Sequence, residues 1–240
     1  MYYLRYFKTQ AEAIGQTANI PTVAMVEGVD KVGYFDGDTS KYYIFAADGN
    51  FVKIGKDTRI VCTYNVTSAT SAFTICSNKN CFTSMEVDDT EVTPTTTYTF
   101  DTIGEHTIKF TLNYNTYISY EAFYHSSSLT SVTIPDGVTG IGYKAFMRCY
   151  NLAHIDIPDG LESISYKVFY ECYNLTSVTI PDSVTYIDEY TFYYCKNLTS
   201  IKYTGTIAQW KKITRNKHCI DYAGVSTVTC SDGTCGYYET

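Results

Sequence analysis

The stretch "CYNLTSVTIPDSVTYIDEYTFYYCKNLTS", residues 172–200, almost repeats itself: its first six residues, CYNLTS, return as CKNLTS 23 positions later. Extending the comparison outward gives three units in register: "LTSVTIPDGVTGIGYKAFMRCYN" (129–151), "LAHIDIPDGLESISYKVFYECYN" (152–174) and "LTSVTIPDSVTYIDEYTFYYCKN" (175–197). A fourth opens with "LTSIKYTGT" at Leu198, and "YISYEAFYHSSS" (117–128) matches the second half of a unit. A fixed period of this length is the mark of a solenoid, in which each unit covers the apolar face of the next.

The apolar columns define the inside. Leu129/Leu152/Leu175/Leu198, Val132/Ile155/Val178/Ile201, Ile134/Ile157/Ile180, Val138/Leu161/Val184, Ile141/Ile164/Ile187 and Phe123/Phe146/Phe169/Phe192 recur at constant spacing. The Leu-x-x-Val-x-Ile opening alternates at period two and predicts a short strand. Pro-Asp at 135–136, 158–159 and 181–182 ends that strand, because proline cannot donate to a ladder. "YKAF", "YKVF" and "EYTF" are expected to close each coil as a helical or 3₁₀ turn. Cys149, Cys172 and Cys195 form one column, expected to be buried thiols behaving as small hydrophobes.

The consensus L-x-x-V-x-I-P-D-x-V-x-x-I-x-x-x-x-F-x-x-C-x-N resembles the BspA-like (Treponema pallidum-type) leucine-rich repeat family, over about residues 117–234. That resemblance implies surface proteins of gut and oral bacteria, with relatives in phages and some protists, and adhesion or ligand binding rather than catalysis. It also implies that "YTGTIAQWKKI…TVTCSDGT" (203–234) closes the array, with Trp210 lidding the last coil and "STVTC" covering the edge. Cys219 and Cys235 are extra to that tail.

Upstream, residues 1–55 read as a small β-rich attachment module, with strands at "MYYLRYF", "TVAMVEG", "KVGYF", "KYYIFAA" and "FVKIG", and hairpin chemistry at "ADGN" (47–50). Residues 56–115 supply five strand-like runs, "RIVCTYNV", "AFTICS", "TSMEVDD", "TTYTFD" and "EHTIKFTL", which suggest a small immunoglobulin-like β-sandwich docked on the first coil. Residues 116–203 hold the repeats and 204–240 the C-terminal cap. The expected class is mainly β.

Composition narrows function. The chain of 240 residues carries a net charge of −7 and no basic run, which argues against nucleic acid. No run of 18 apolar residues spans a membrane, and the N-terminus lacks the apolar core of a secretory signal. Cys76/Cys81 and Cys230/Cys235 are Cys-x₄-Cys pairs; zinc prefers other spacings, and an oxidising compartment would allow a hairpin disulfide in each. No catalytic, metal or cofactor motif appears, so no cofactor is expected.

Surface remains. Ser131, His154, Ser177 and Ser200 share an outward strand column beside Thr133, Asp156, Thr179 and Lys202; a solvated sheet face is preferred there over hydrolysis. Tyr120/Tyr143/Tyr166, Tyr124/Met147/Tyr170/Tyr193 and Tyr150/Tyr173 are read as outward rows. Tyrosine offers rigid area with a hydrogen-bonding tip. The candidate binding surface is therefore Tyr120, Tyr143, Tyr166, Tyr124, Tyr170, Tyr193, Ser131, His154 and Ser177. The expected partner is a host protein or glycan at a bacterial cell surface; the alternative is a phage virion protein, decoration or fibre, bound to other virion proteins through its first module.

Overall fold

A computed structural model describes residues 33–36, 41–45, 51–54, 59–113 and 117–239 of the chain. The chain divides into two compact units, Met1–Asp57 and Thr58–Thr240. In the first, β1 (Gly33–Asp36), β2 (Lys41–Phe45) and β3 (Phe51–Ile54) form an antiparallel meander, with Tyr34 opposite Tyr43 and Tyr43 opposite Lys53. The strands expected at "MYYLRYF" and "TVAMVEG", and the "ADGN" turn, lie outside the described residues.

The second unit begins with β4 (Ile60–Val66), β5 (Ala72–Thr74), β6 (Phe82–Val87), β7 (Thr90–Val92), β8 (Thr97–Thr99) and β9 (Gly104–Leu112). β4, β9, β6 and β7 make one antiparallel sheet, and β5 pairs with β8 as a separate ribbon. The β6–β7 hairpin turns on Asp88 and Asp89, both at positive φ (47° and 64°), which matches the twist of a tight two-residue hairpin.

The repeats follow as β10 (Tyr117–Ile118), β11 (Leu129–Thr133), β12 (Gly140–Ile141), β13 (His154–Asp156), β14 (Ser163–Ile164), β15 (Ser177–Ile180), β16 (Tyr186–Ile187) and β17 (Ser200–Tyr203). Helix α1 (Ile207–Lys212), β18 (Thr214–Arg215), β19 (Thr227–Cys230) and β20 (Gly233–Gly236) complete the chain. Each coil contributes one strand to a main parallel ladder, β11-β13-β15-β17-β19, and a short one to a second side. The main ladder keeps strict register: Ser131, His154, Ser177 and Ser200 lie side by side, as do Val132, Ile155, Val178 and Ile201.

Every predicted inward column is buried. The phenylalanine column is a ring stack, with centroids 5.2, 5.7 and 5.5 Å apart and planes within 9° of parallel from Phe123 to Phe192. Parallel offset rings at this spacing add attraction beyond their buried area. The cysteine column does more than fill space: the Cys149, Cys172 and Cys195 thiols each donate to the carbonyl of the phenylalanine one coil earlier (Phe123, Phe146, Phe169), at 3.1 Å. Ser126 occupies the same column in the half coil and donates to Ile75 O at 3.2 Å.

The turn edge differs from the expected helical closure. Glu121, Lys144, Lys167, Tyr190 and His218 have φ between 53° and 64°, and so do His125, Arg148, Glu171, Tyr194 and Tyr222. These are two left-handed, non-glycine positions per coil, two residues before and two after the phenylalanine column, with Ile220 in place of phenylalanine in the last. The physical reason is hydrogen bonding between coils: Lys144 N reaches Tyr166 O, Phe146 N reaches Val168 O and Arg148 N reaches Tyr170 O, at 2.8–3.0 Å. A continuous helix would turn these donors back onto their own coil.

Both ends are closed by reversing strand direction. β11 pairs antiparallel with β4, so the sheet of β4, β9, β6 and β7 and the repeat sheet form one sheet of ten strands. Phe82 and Phe110 pack on Phe123, the first ring of the stack, at 5.6 and 5.5 Å. At the other end β19 adds in parallel to β17 and β20 returns antiparallel to it. Trp210 is fully buried under this hairpin, between the ring edges of Tyr203 and Tyr237, and its indole N–H donates to Tyr237 O at 3.2 Å. A Thr206/Gln209 capping box starts α1.

Two outcomes follow. Phe169→Ala removes the ring between two stacked neighbours and is expected to cost about 3–5 kcal/mol in denaturant unfolding. Lys144→Ile and Lys144→Gly both lose the ion pair to Glu121, but only isoleucine is strained at positive φ; the isoleucine variant should be the less stable by about 1–2 kcal/mol.

Candidate binding surface

The turn edge carries aromatic rows because every coil repeats the same bend. Tyr120 and Tyr143 stack at 5.4 Å with planes 4° apart, and Tyr150 and Tyr173 at 5.1 Å and 12°. Tyr170 and Tyr193 stack at 5.2 Å and 8°. Tyr166 does not continue the Tyr120/Tyr143 stack: it meets Tyr190 edge-on, at 6.0 Å and 90°. Met147 is buried at 8% exposure, so the row read through Tyr124, Met147, Tyr170 and Tyr193 is interrupted at its second member. Tyr124, Tyr166, Tyr170 and Tyr193 are half-buried, whereas Tyr120 and Tyr143 are exposed.

Ions tie the rows together. Lys144 pairs with Glu121 at 3.1 Å, which raises the lysine pKa, and Arg148 pairs with Glu171 at 3.0 Å while reaching Tyr124 OH at 3.3 Å. Lys167 Nζ lies 4.9, 4.9 and 5.2 Å from the ring centroids of Tyr166, Tyr170 and Tyr190. Lys196 Nζ lies 5.4 and 5.6 Å from those of Tyr173 and Tyr194. Tyr193 meets Tyr194 and Tyr222 edge-on, and Tyr194 stacks on Tyr222 at 4.6 Å. Burial raises the pKa of Tyr170 and Tyr173, keeping both phenols neutral hydrogen-bond donors.

Tyr190, Tyr194, Tyr222, Lys167 and Lys196 were not singled out by the sequence reading. Tyr190 and Tyr194 sit at the two left-handed positions, where the preceding coils carry Glu, Lys, His or Arg, so no tyrosine column leads up to them. Tyr222 belongs to a fifth layer whose phase is shifted by the α1 insertion.

The sheet face brings Ser177, His154 and Asp156 together. His154 Nδ1 is 2.8 Å from Ser177 Oγ, and its Nε2 is 3.3 Å from Asp156 Oδ2. The His154 and Asp156 side chains are 52% and 69% exposed, on an open face whose strand N–H groups are engaged in the ladder. An acyl-transfer site needs free donors aimed at a developing oxyanion, and this face presents a hydrogen-bonded polar row instead. Ser131 is exposed in the same column. On the outer side of the turn, Asn174 and Asn197 donate to the Asn151 and Asn174 amide oxygens at 2.9 and 3.3 Å, forming a second polar ladder.

Residues 116–216 match the model of the BspA type leucine rich repeat region, in six copies. This part of the chain is a BspA-type leucine-rich repeat region. The BspA-type coils account for both ladders and for the buried columns described above. Similar solved structures include a Treponema pallidum leucine rich repeat protein (28% identity, covering 47% of this chain and 51% of that one, TM-score 0.40). Others are a leucine rich cell surface protein from Faecalibacterium prausnitzii (24% identity, 73% and 41% covered, TM-score 0.36) and a leucine-rich repeat protein from Bacteroides ovatus (17% identity, 48% and 47% covered, TM-score 0.29). The chain spans about half or less of the length of each. A search of curated proteins finds no match.

The chemistry of the described residues is quiet. No three His, Cys, Asp or Glu side chains among them converge as metal ligands, and no helix among them is long and apolar enough to cross a membrane. All nine cysteines are buried free thiols. Cys235 faces Val228 across the terminal hairpin, and Cys230 faces Gly233, so this pair is diagonal rather than opposed. Burial pushes Cys76 and Cys219 up from an ordinary value of 9.0 to about 12, and Cys230 to about 11.

These thiols ionise in the unfolded chain before they do so in the fold. Their contribution to stability is complete below pH 9 and is lost as pH rises from 9 through about 12. The melting temperature is expected to fall across that window, less steeply in Cys219→Ala. At pH 7.5 the native protein should resist iodoacetamide at all nine sites.

Proposed function

We propose that the protein is a non-enzymatic, extracellular recognition protein that captures a host protein or glycan on the tyrosine-lined turn edge of its BspA-type repeats. The observation that carries this reading is the pre-ordered aromatic edge: tyrosines held in stacks by the coil spacing, with Tyr120 52% and Tyr143 43% exposed. Rings already fixed by their neighbours lose little rotamer freedom on contact, so their area converts efficiently into affinity. The repeat family supports a binding rather than a catalytic role, and the family's usual setting supports placement outside the cell. The virion alternative draws on no observation of the fold.

The triple variant Tyr143→Ala, Tyr166→Ala, Tyr170→Ala tests the reading. Capture on a host-protein and glycan array should fall at least about a hundredfold, as expected when several aromatic anchors are truncated together. Circular dichroism and melting would verify that the repeats remain folded. Unchanged capture by the folded variant would reject this edge. Hydrolysis of a model ester that disappears in His154→Ala would reject the non-enzymatic assignment.

A further inference from the structure

The aromatic edge has a chemical preference written in its charges and in the orientation of its rings. Glu121 and Glu171 are neutralised by Lys144 and Arg148, and Asp221 lies 2.6 Å from His218. Lys167 and Lys196 have no carboxylate within ion-pair distance among the described residues; each ammonium rests on tyrosine rings instead. Among the described residues Asp188 and Glu189 have no cation at such distance, and Asp188 is held by Tyr186 and Asn216. Although the whole chain is acidic at −7, Lys167 and Lys196 are two ammonium groups of this edge that lie on tyrosine rings and not on carboxylates.

Ring orientation then separates ligand classes. Apolar sugar faces need an open aromatic face. Here stacking covers one face of each paired ring: Tyr120 with Tyr143, Tyr170 with Tyr193, Tyr150 with Tyr173 and Tyr194 with Tyr222, all within 12° of parallel. Lys167 covers further ring surface of Tyr166 and Tyr190. Beside the ring faces left at the ends of these pairs, the edge offers ring edges, phenolic hydroxyls and the two ammonium groups. Hydroxyl and ammonium donors suit carboxylates, and ring edges suit a flat polypeptide surface.

We infer that the partner of the tyrosine edge is an acidic polypeptide segment, its Asp or Glu carboxylates pairing with Lys167 and Lys196 while its backbone lies on the tyrosine hydroxyls. This rests on the recognition reading above and narrows it. A carboxylate at Lys167 gains a charge-assisted bond to an ammonium that the rings hold in place. Exposed charges of this kind lose much of their attraction beyond the screening length, so binding is salt-sensitive.

The probe is a fluorescently labelled poly-L-glutamate of about twenty residues, titrated with the full chain by polarisation, with an oligogalacturonate of similar charge in parallel. Wild type should bind poly-glutamate at low salt and weaken severalfold at physiological ionic strength. Lys167→Gln with Lys196→Gln should weaken it about tenfold, whereas Lys211→Gln with Lys212→Gln on α1 should leave it unchanged. No binding by wild type, or equal binding by the Lys167/Lys196 variant, overturns the inference. Tighter binding of oligogalacturonate than of poly-glutamate overturns the polypeptide class. If array capture still depends on Tyr143, Tyr166 and Tyr170 when poly-glutamate fails, only the acidic partner falls and the recognition reading stands.

Discussion

One coil lying on the next, in parallel and in register, is the constraint from which the rest of the molecule follows. A single coil has a wide apolar floor and unpaired backbone on both sides, so it cannot stand alone. Stacking satisfies both needs at once. The strand ladder pairs one side, turn amides such as Phe146 N and Phe169 N bond to carbonyls of the next coil, and the phenylalanine rings close the centre. The cysteine thiols add a second donor to the phenylalanine carbonyls of the preceding coil, which already accept the backbone N–H groups of Ser126, Cys149 and Cys172.

The same constraint shapes the surface. Because neighbouring coils share a bend, side chains at equivalent positions are held at stacking distance, and a polar or aromatic column becomes a ladder. The tyrosine edge, the Ser/His sheet row and the asparagine ladder are three consequences of one spacing. The cost appears at the bends, where ten non-glycine residues adopt left-handed backbone. Each such residue is disfavoured by about 1–2 kcal/mol, and the hydrogen bonds between coils hold it there. The ends follow the same logic in reverse: a strand turned antiparallel at β4 and β20 stops the ladder, and aromatic plugs, Phe82 with Phe110 and Trp210 with Tyr237, seal the last layers.

What could be read from the sequence was whatever the period exposes. The Leu, Val, Ile and Phe columns and the Pro-Asp strand ends were legible because each is local or repeats every coil, and the Trp210 lid came from the family resemblance alone. Five of the six strands between residues 60 and 112 were legible as strand-like runs, the three-residue β7 was not, and the sharing of their sheet with the repeats was not, since strand pairing at that distance leaves no local mark. The left-handed turns were hidden because Glu, Lys, His, Arg and Tyr carry none of the glycine or asparagine signal such backbone usually shows. Met147 looked outward by analogy with its tyrosine neighbours, yet the bend buries it. Beyond Lys202, α1 breaks the period, so Cys219 looked like an addition to a tail and Tyr222 went unread, although the two lie in a further layer of the turn edge.

Native-state hydrogen exchange at the turn amides of Phe146, Phe169 and Phe192 tests the stacked register most directly. In an isolated bend these N–H groups would exchange within the time of local fraying. The account predicts that all three are protected to nearly the same free energy as the strand amides of Val132, Ile155 and Val178, because both sets open only when coils separate. Rapid exchange at the phenylalanine amides beside protected strands would contradict it.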